Sequence, residues 1–236
     1  MCFYNSFGKR ALDLAKRYGR KSDVIEIVQE ILDEQYKITS FVHPDGPVVT
    51  NSPDIQLAKW GLIPRWVKSG EEAAKIRKIT LNARVETVFD LPSFRVPIQS
   101  RRCLIPSTGY FEFQHTGKNV VPYYLFLRDE SIFSLGGIAE LWRHPSSGET
   151  VQTFTVLTTA ANPLCATIHN GGKNPYRMPV IIDREQEERW LDQSLKKDEI
   201  KQFFLPFDAD RMDAYPIAND FLKRNPKDSS IVEPAA

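Results

Sequence analysis

From Ile38 onward, short apolar, β-branched and aromatic runs follow one another with little but turn residues between them, and that spacing limits the available folds. The turns are spelled out in "HPDG", "NSPD" and "PSTG", where Pro, Asp and Gly set the backbone geometry. Residues 120–127, 132–138 and 153–159 are the clearest strands, rich in side chains that suit a pleated surface. A doubly wound sheet needs a crossover helix between successive parallel strands, and these intervals do not provide repeated βαβ units. The pattern predicts an α+β chain with one mainly antiparallel, barrel-like sheet and peripheral helices, a single domain over 1–225 with a loose tail over 226–236.

Helical signals sit at the two ends. Val24, Ile27, Val28, Ile31 and Leu32 recur on one helical face, which predicts helix within 7–36, with Ser22 or Asp23 as a cap. "DREQEERWL", starting at Asp183, and "LKKDEIKQFF" read as two further helices. With 236 residues, 42% of them hydrophobic, the chain can bury a substantial core. No apolar run reaches the roughly 18 residues of a membrane span, and the first residues lack the pattern of a signal peptide. Cys2, Cys103 and Cys165 are too few and odd in number for a disulfide framework, which suits a reducing cytoplasm. The formal net charge is +1, so global charge does not advertise nucleic-acid binding, although Lys9, Arg10, Lys16, Arg17, Arg20 and Lys21 make the start locally basic. That basic stretch reads as a solvated helix face or as a phosphate track.

The chemistry-bearing residues are scattered. Cys2 is either an accident of a fraying end or, once Met1 is removed, a residue carrying a free amine and a thiol on adjacent carbons. In "LNARVET", alternation turns Leu81, Ala83 and Val85 to the core and Asn82, Arg84 and Glu86 to the other face, as a surface ladder or a site wall. In "GYFEF", Phe111 and Phe113 point one way and Tyr110 and Glu112 the other. Glu112 is then a satisfied surface group or a buried carboxyl suited to proton transfer. His169 follows an expected strand, in "ATIHNGG", while His43, His115 and His144 sit in turn-like surroundings and read as surface. Cys165 and His169 have no second pair to complete a metal site, and Cys103 reads as a buried filler. Trp60 and Trp66 in "WGLIPRW" are core aromatics or a platform for an unstacked base. No phosphate-binding glycine loop and no serine nucleophile elbow is present.

Taken in order, Met1-Cys2, Trp60-Gly61, Pro64, Asn82-Ala83-Arg84, Glu86, Arg102-Cys103, Pro106, Gly109, Glu112, Ile168-His169 and Arg177-Met178-Pro179 resemble the SRAP family, the SOS response-associated peptidases known for handling abasic sites in DNA. The resemblance implies a single α+β domain around a distorted barrel with a DNA groove, without a cofactor or metal. It implies covalent trapping of abasic sites in single-stranded DNA, including single-strand/duplex junctions, through a thiazolidine formed by Cys2. In that scheme Asn82 positions the amine and sugar, Glu112 moves protons and His169 assists sugar opening and cleavage or reversal of the link. Arg84 and Arg177 would hold phosphates, and Trp60 or Trp66 would lie near the stacked base. The expected protein is a monomer in the cytoplasm, associated with the nucleoid when bound to DNA. Two features depart from the family pattern: Phe3-Tyr4 replaces the usual Gly-Arg after the cysteine, and "NGGKNPY" interrupts the short spacing between histidine and arginine. The competing expectations are an N-terminal-nucleophile hydrolase, either a peptidase acting in self-processing or a glutamine amidotransferase, and a non-catalytic DNA-binding module.

Overall fold

The computed structural model describes residues 2–7, 11–20 and 35–235. The strands, in chain order, begin with β1 (Tyr4–Phe7), β2 (Gln35–Thr39), β3 (Asp45–Val48), β4 (Gln56–Trp60), β5 (Asn82–Arg84) and β6 (Arg102–Ser107). They continue with β7 (Gly109–Thr116), β8 (Asn119–Leu127), β9 (Phe133–Arg143), β10 (Thr150–Ala160), β11 (Arg177–Pro179), β12 (Ile181–Ile182) and β13 (Met212–Pro216). Among the described residues they form a five-stranded sheet, ordered β13-β8-β7-β1-β2, and an eight-stranded sheet along β12-β9-β10-β4-β3. In the second sheet β5 and β11 pair with β10, and β6 pairs with β9.

Among the described residues pairing is mostly antiparallel, and neither sheet closes into a barrel. The bridge between Val49 and Leu104 brings the end of β3 against β6, so the larger sheet curls toward itself without a continuous ladder. The long strand β10 departs from the antiparallel rule. Its first half runs parallel to β4 and its second half parallel to β5, with Val156 opposite Asn82 and Thr158 opposite Arg84. On its other side it pairs with β9 and then with β11, Ala160 lying opposite Arg177. One strand therefore gathers Asn82, Arg84 and Arg177 from distant parts of the sequence.

The N-terminal segment is held, not frayed. Phe7, expected to open a helix, ends β1 instead, because that strand fits between β7 and β2. Buried Asn5 donates through Nδ2 to the Pro106 carbonyl at 3.1 Å and accepts from Ser107 Oγ at 2.6 Å, satisfying both ends of its amide. Gly109, opposite Ser6, is fixed by close approach: a Cβ there would lie 2.2 Å from the Tyr124 ring. Within the described residues the expected helix spans Ala11–Tyr18; the stripe from Val24 to Leu32, its caps Ser22 and Asp23, and Lys9, Arg10 and Lys21 lie outside them. Arg17 of that helix forms ion pairs with Glu187 and Glu130 and donates to the Ile132 carbonyl at 3.1 Å, so its charge ties the helix to the fold. No helix among the described residues is long and apolar enough to cross a membrane.

The expected strands within 120–127, 132–138 and 153–159 are present as parts of β8, β9 and β10. The two C-terminal helices are shorter than read, Glu187–Leu191 and Lys197–Lys201, each flanked by a 3-10 turn. The tail expected to be loose is packed over its described part. Ile231 is buried and Ile217 bridges to Pro234, and just ahead of the tail the buried Lys37 ammonium of β2 donates to the carbonyls of Phe221, Leu222 and Arg224. A desolvated lysine needs such acceptors, and that requirement orders the chain around them.

Candidate functional site

The site starts with a buried cysteine. Cys2 is fully buried just ahead of β1, and the Phe3 carbonyl accepts from the Ser40 N–H at 2.9 Å. Neighbouring β7 divides its side chains as the alternation in "GYFEF" predicts. Tyr110 and Cys2 join the main core, while Phe111 and Phe113 pack in a second aromatic cluster with Phe221. Glu112, on the main-core face of β7, is 5% exposed. Burial pushes its carboxyl up to about 7, so it exchanges a proton near neutrality. Burial, reinforced by the nearby Glu112 charge, pushes the Cys2 thiol far above its ordinary range and keeps it protonated. Cys165 lies in the same layer, its sulfur 3.2 Å from the Tyr110 hydroxyl, while Cys103 is an apolar filler of the core.

His169 does not follow a strand. It ends the helix Pro163–Ile168, which Asn162 caps by accepting from the Cys165 N–H at 2.8 Å, with Pro163 in the first turn. The ring Nδ1 meets both polar groups of the Arg177 backbone, 2.9 Å from the carbonyl and 3.2 Å from the N–H. Nε2 faces Glu112, 3.8 Å from Oε2. Burial lowers the imidazole to about 4, so at neutral pH the pair is a neutral base beside a carboxyl poised to gain or lose its proton. Both shifts disfavour charge, which argues against a resting ion pair.

Glu112 and His169 line a pocket of about 350 Å³ together with Phe3, Tyr4, His115 and Lys173. The Phe3 ring of that lining lies 5.0 Å from that of Phe41, which is 55% exposed. His115, read as surface, is exposed yet belongs to the wall.

The strand β5 supplies the other candidates. Both amide atoms of Asn82 are buried, and neither has a hydrogen-bond partner among the described residues. An amide left so carries a desolvation cost of about 1–3 kcal/mol, which a ligand can relieve. Arg84 is exposed on the same strand. Arg177 is buried: it makes a two-pronged pair with Glu86 and donates to the Thr158 carbonyl at 2.6 Å. Its guanidinium is engaged internally, contrary to the expected phosphate contact. Trp60 is likewise a core residue and not a stacking surface. It is 2% exposed, stacks on Phe154 at 5.6 Å and donates to the Leu81 carbonyl at 2.7 Å. Trp66 is 49% exposed, and neither it nor Arg84 lines the pocket.

A buried cysteine at position 2 just ahead of β1, a buried carboxyl–imidazole pair and an unsatisfied asparagine in one α+β domain define the class. The chain belongs to the SOS response associated peptidase (SRAP) family, whose profile matches residues 1–223. Abasic site processing protein YoqW of Bacillus subtilis (strain 168) is 33% identical over 223 residues, 90% of this chain and 94% of that protein. Abasic site processing protein HMCES of Gallus gallus is 28% identical over 154 residues, 57% of this chain and 44% of that protein. A crystal structure of a protein from Bacteroides thetaiotaomicron superposes with a TM-score of 0.97 at 51% identity, covering 100% of both chains.

Proposed function

We propose that this chain processes abasic sites in single-stranded DNA by covalent capture through Cys2 after Met1 is removed. The observation that carries the reading is the placement of Cys2, pinned ahead of β1 beside a carboxyl that titrates near neutrality. The names of the relatives point the same way.

The chemistry follows from the groups present. An α-amine with pKa near 7.8 is about 10% neutral or more at pH 7, whereas a lysine at about 10.4 is below about 0.1% neutral. The neutral Cys2 amine attacks the aldehyde carbon of the ring-opened sugar, forming a C–N bond, and the carbinolamine loses water to give an imine. The Cys2 sulfur then adds to the imine carbon, and the thiol proton passes to nitrogen. The product is a five-membered thiazolidine, and one water leaves overall.

Burial holds the Cys2 thiol protonated, so ring closure needs a base to take its proton, a role open to the neighbouring Glu112 carboxylate. Glu112 carries protons to the departing hydroxyl and from the thiol, and neutral His169 accepts a proton as the sugar opens. The unsatisfied Asn82 amide gives a donor and an acceptor for the sugar and the amine. Arg84 and Trp66 offer charge and an aromatic face outside the pocket. Any peptidase action is confined in this scheme to self-removal of Met1, and strand cleavage would follow only from breakdown of the imine.

The test is incubation of Met1-processed protein with an abasic single strand, followed by a denaturing gel. A shifted band in wild type that disappears in Cys2→Ser supports the reading; its absence from wild type refutes it.

A further inference from the structure

Residues 170–176 separate His169 from Arg177 in sequence, yet the two remain joined in space. The Tyr176 N–H donates to the His169 carbonyl at 2.7 Å, and the Arg177 N–H lies 3.2 Å from His169 Nδ1. The intervening chain is therefore extruded as a closed loop standing on the histidine. It is also fastened sideways to β7: Asn170 Oδ1 accepts from the His115 N–H at 2.8 Å, and its Nδ2 donates to the His115 carbonyl at 3.0 Å. Two positions demand glycine. A Cβ on Gly171 would fall 2.3 Å from the His115 ring, and Gly172 has a φ of +80°.

So held, Gly171, Gly172, Lys173 and Asn174 make one wall of the pocket whose other residues include Glu112 and His169. Lys173 is exposed and, among the described residues lining the pocket, supplies the permanent positive charge. Arg177 cannot serve a ligand in this way while it is bound to Glu86 and Thr158. A sugar brought over Glu112 carries phosphates on both sides, and an ionised carboxylate repels them. A cation on the adjoining wall offsets that repulsion.

We infer that Lys173 holds a phosphate flanking the abasic sugar of single-stranded DNA, the loop 170–176 being a phosphate-docking wall of the pocket. The inference rests on the abasic-site reading above, so its test separates binding from reaction. A single strand carrying a tetrahydrofuran abasic analogue has no aldehyde and reports binding alone by fluorescence anisotropy.

Lys173→Ala is expected to weaken that binding about fivefold at low salt and to make the slope of log K against log salt shallower by about 0.7. Lys173→Arg should restore both, and Lys227→Ala, on the packed tail, should change neither; a thermal melt of each variant checks folding. Wild-type affinity and slope in Lys173→Ala overturn the inference, and so does weaker binding with an unchanged slope, because the charge would then not be in contact. In either case a covalent adduct of wild type with a true abasic strand leaves the capture reading standing. A wild type that neither binds the analogue nor forms the adduct overturns both.

Discussion

The pocket has two sides built in different ways. One is β1 against β7, where Glu112 is buried in a paired strand, Cys2 is buried just ahead of β1, and the backbone registers Asn5 with Tyr110. The other is the loop 170–176, exposed at Gly172, Lys173 and Tyr176 and held at its base by His169, Asn170 and Tyr176. The Glu112 carboxyl, whose reactivity depends on desolvation, has the first kind of support, because the packed strands keep water away from it. Groups that meet a charged substrate from outside tolerate the second, since a lysine acts through charge over a few ångströms. The consequence is that chemistry and substrate holding can vary independently, and the following measurements probe that separation.

The largest expected effect is on the strand side. Glu112→Gln keeps the shape and removes the titrating proton, so adduct formation should slow by about 10²–10³-fold, and the pH profile should keep only the limb of the attacking amine. A rate within a few-fold of wild type would mean the carboxyl is structural.

The same residue sets a stability signature. The folded-state value of about 7 stands above the ordinary 4.5, so its stabilising contribution is full below pH 4.5 and is lost as pH rises through 7. Relative to Glu112→Gln, wild type should therefore lose up to about 3 kcal/mol across that window in denaturant unfolding. His169, lowered from 6.5 to about 4, contributes oppositely: its stability is present above 6.5 and is lost as pH falls toward 4. Both proteins share that contribution, so it cancels in their difference. A flat difference between pH 4 and 8 would show that Glu112 is solvated.

Smaller still, Arg177→Ala should cost about 2 kcal/mol of stability, because the Thr158 carbonyl loses its donor and Glu86 its partner. The least effect is expected on the loop side, where Asn170→Ala should cost about 1 kcal/mol, confined to hydrogen exchange of residues around 170–176. Global destabilisation by that change would mean the loop is part of the folding core.

Much of the strand side was legible in the sequence. The alternation in "GYFEF" places Glu112 correctly because each face of β7 meets a separate core, so period two has consequences on both sides. "LNARVET" is similarly readable: Leu81 and Ala83 are buried, while Arg84 and Glu86 are exposed. Alternation did not reveal that Asn82 would be left unsatisfied or that Arg177 would find Glu86, since both depend on β10 gathering distant strands. Trp60 could not be told from Trp66 by sequence, because the stack on Phe154 that buries it joins residues far apart. The helix before His169 had a readable start, Asn162-Pro163, overshadowed by the β-branched run preceding it. The departure "NGGKNPY" was visible as an interruption, but its fastening to His115 arises from β7 and had no local signal.

The most direct test of covalent capture is intact mass before and after exposure to an abasic single-stranded oligonucleotide. The account predicts protein lacking Met1, then a species equal to protein plus oligonucleotide less one water, absent when Cys2 is replaced by Ser. Protein that has lost Met1 and keeps an unchanged mass after that exposure would contradict it.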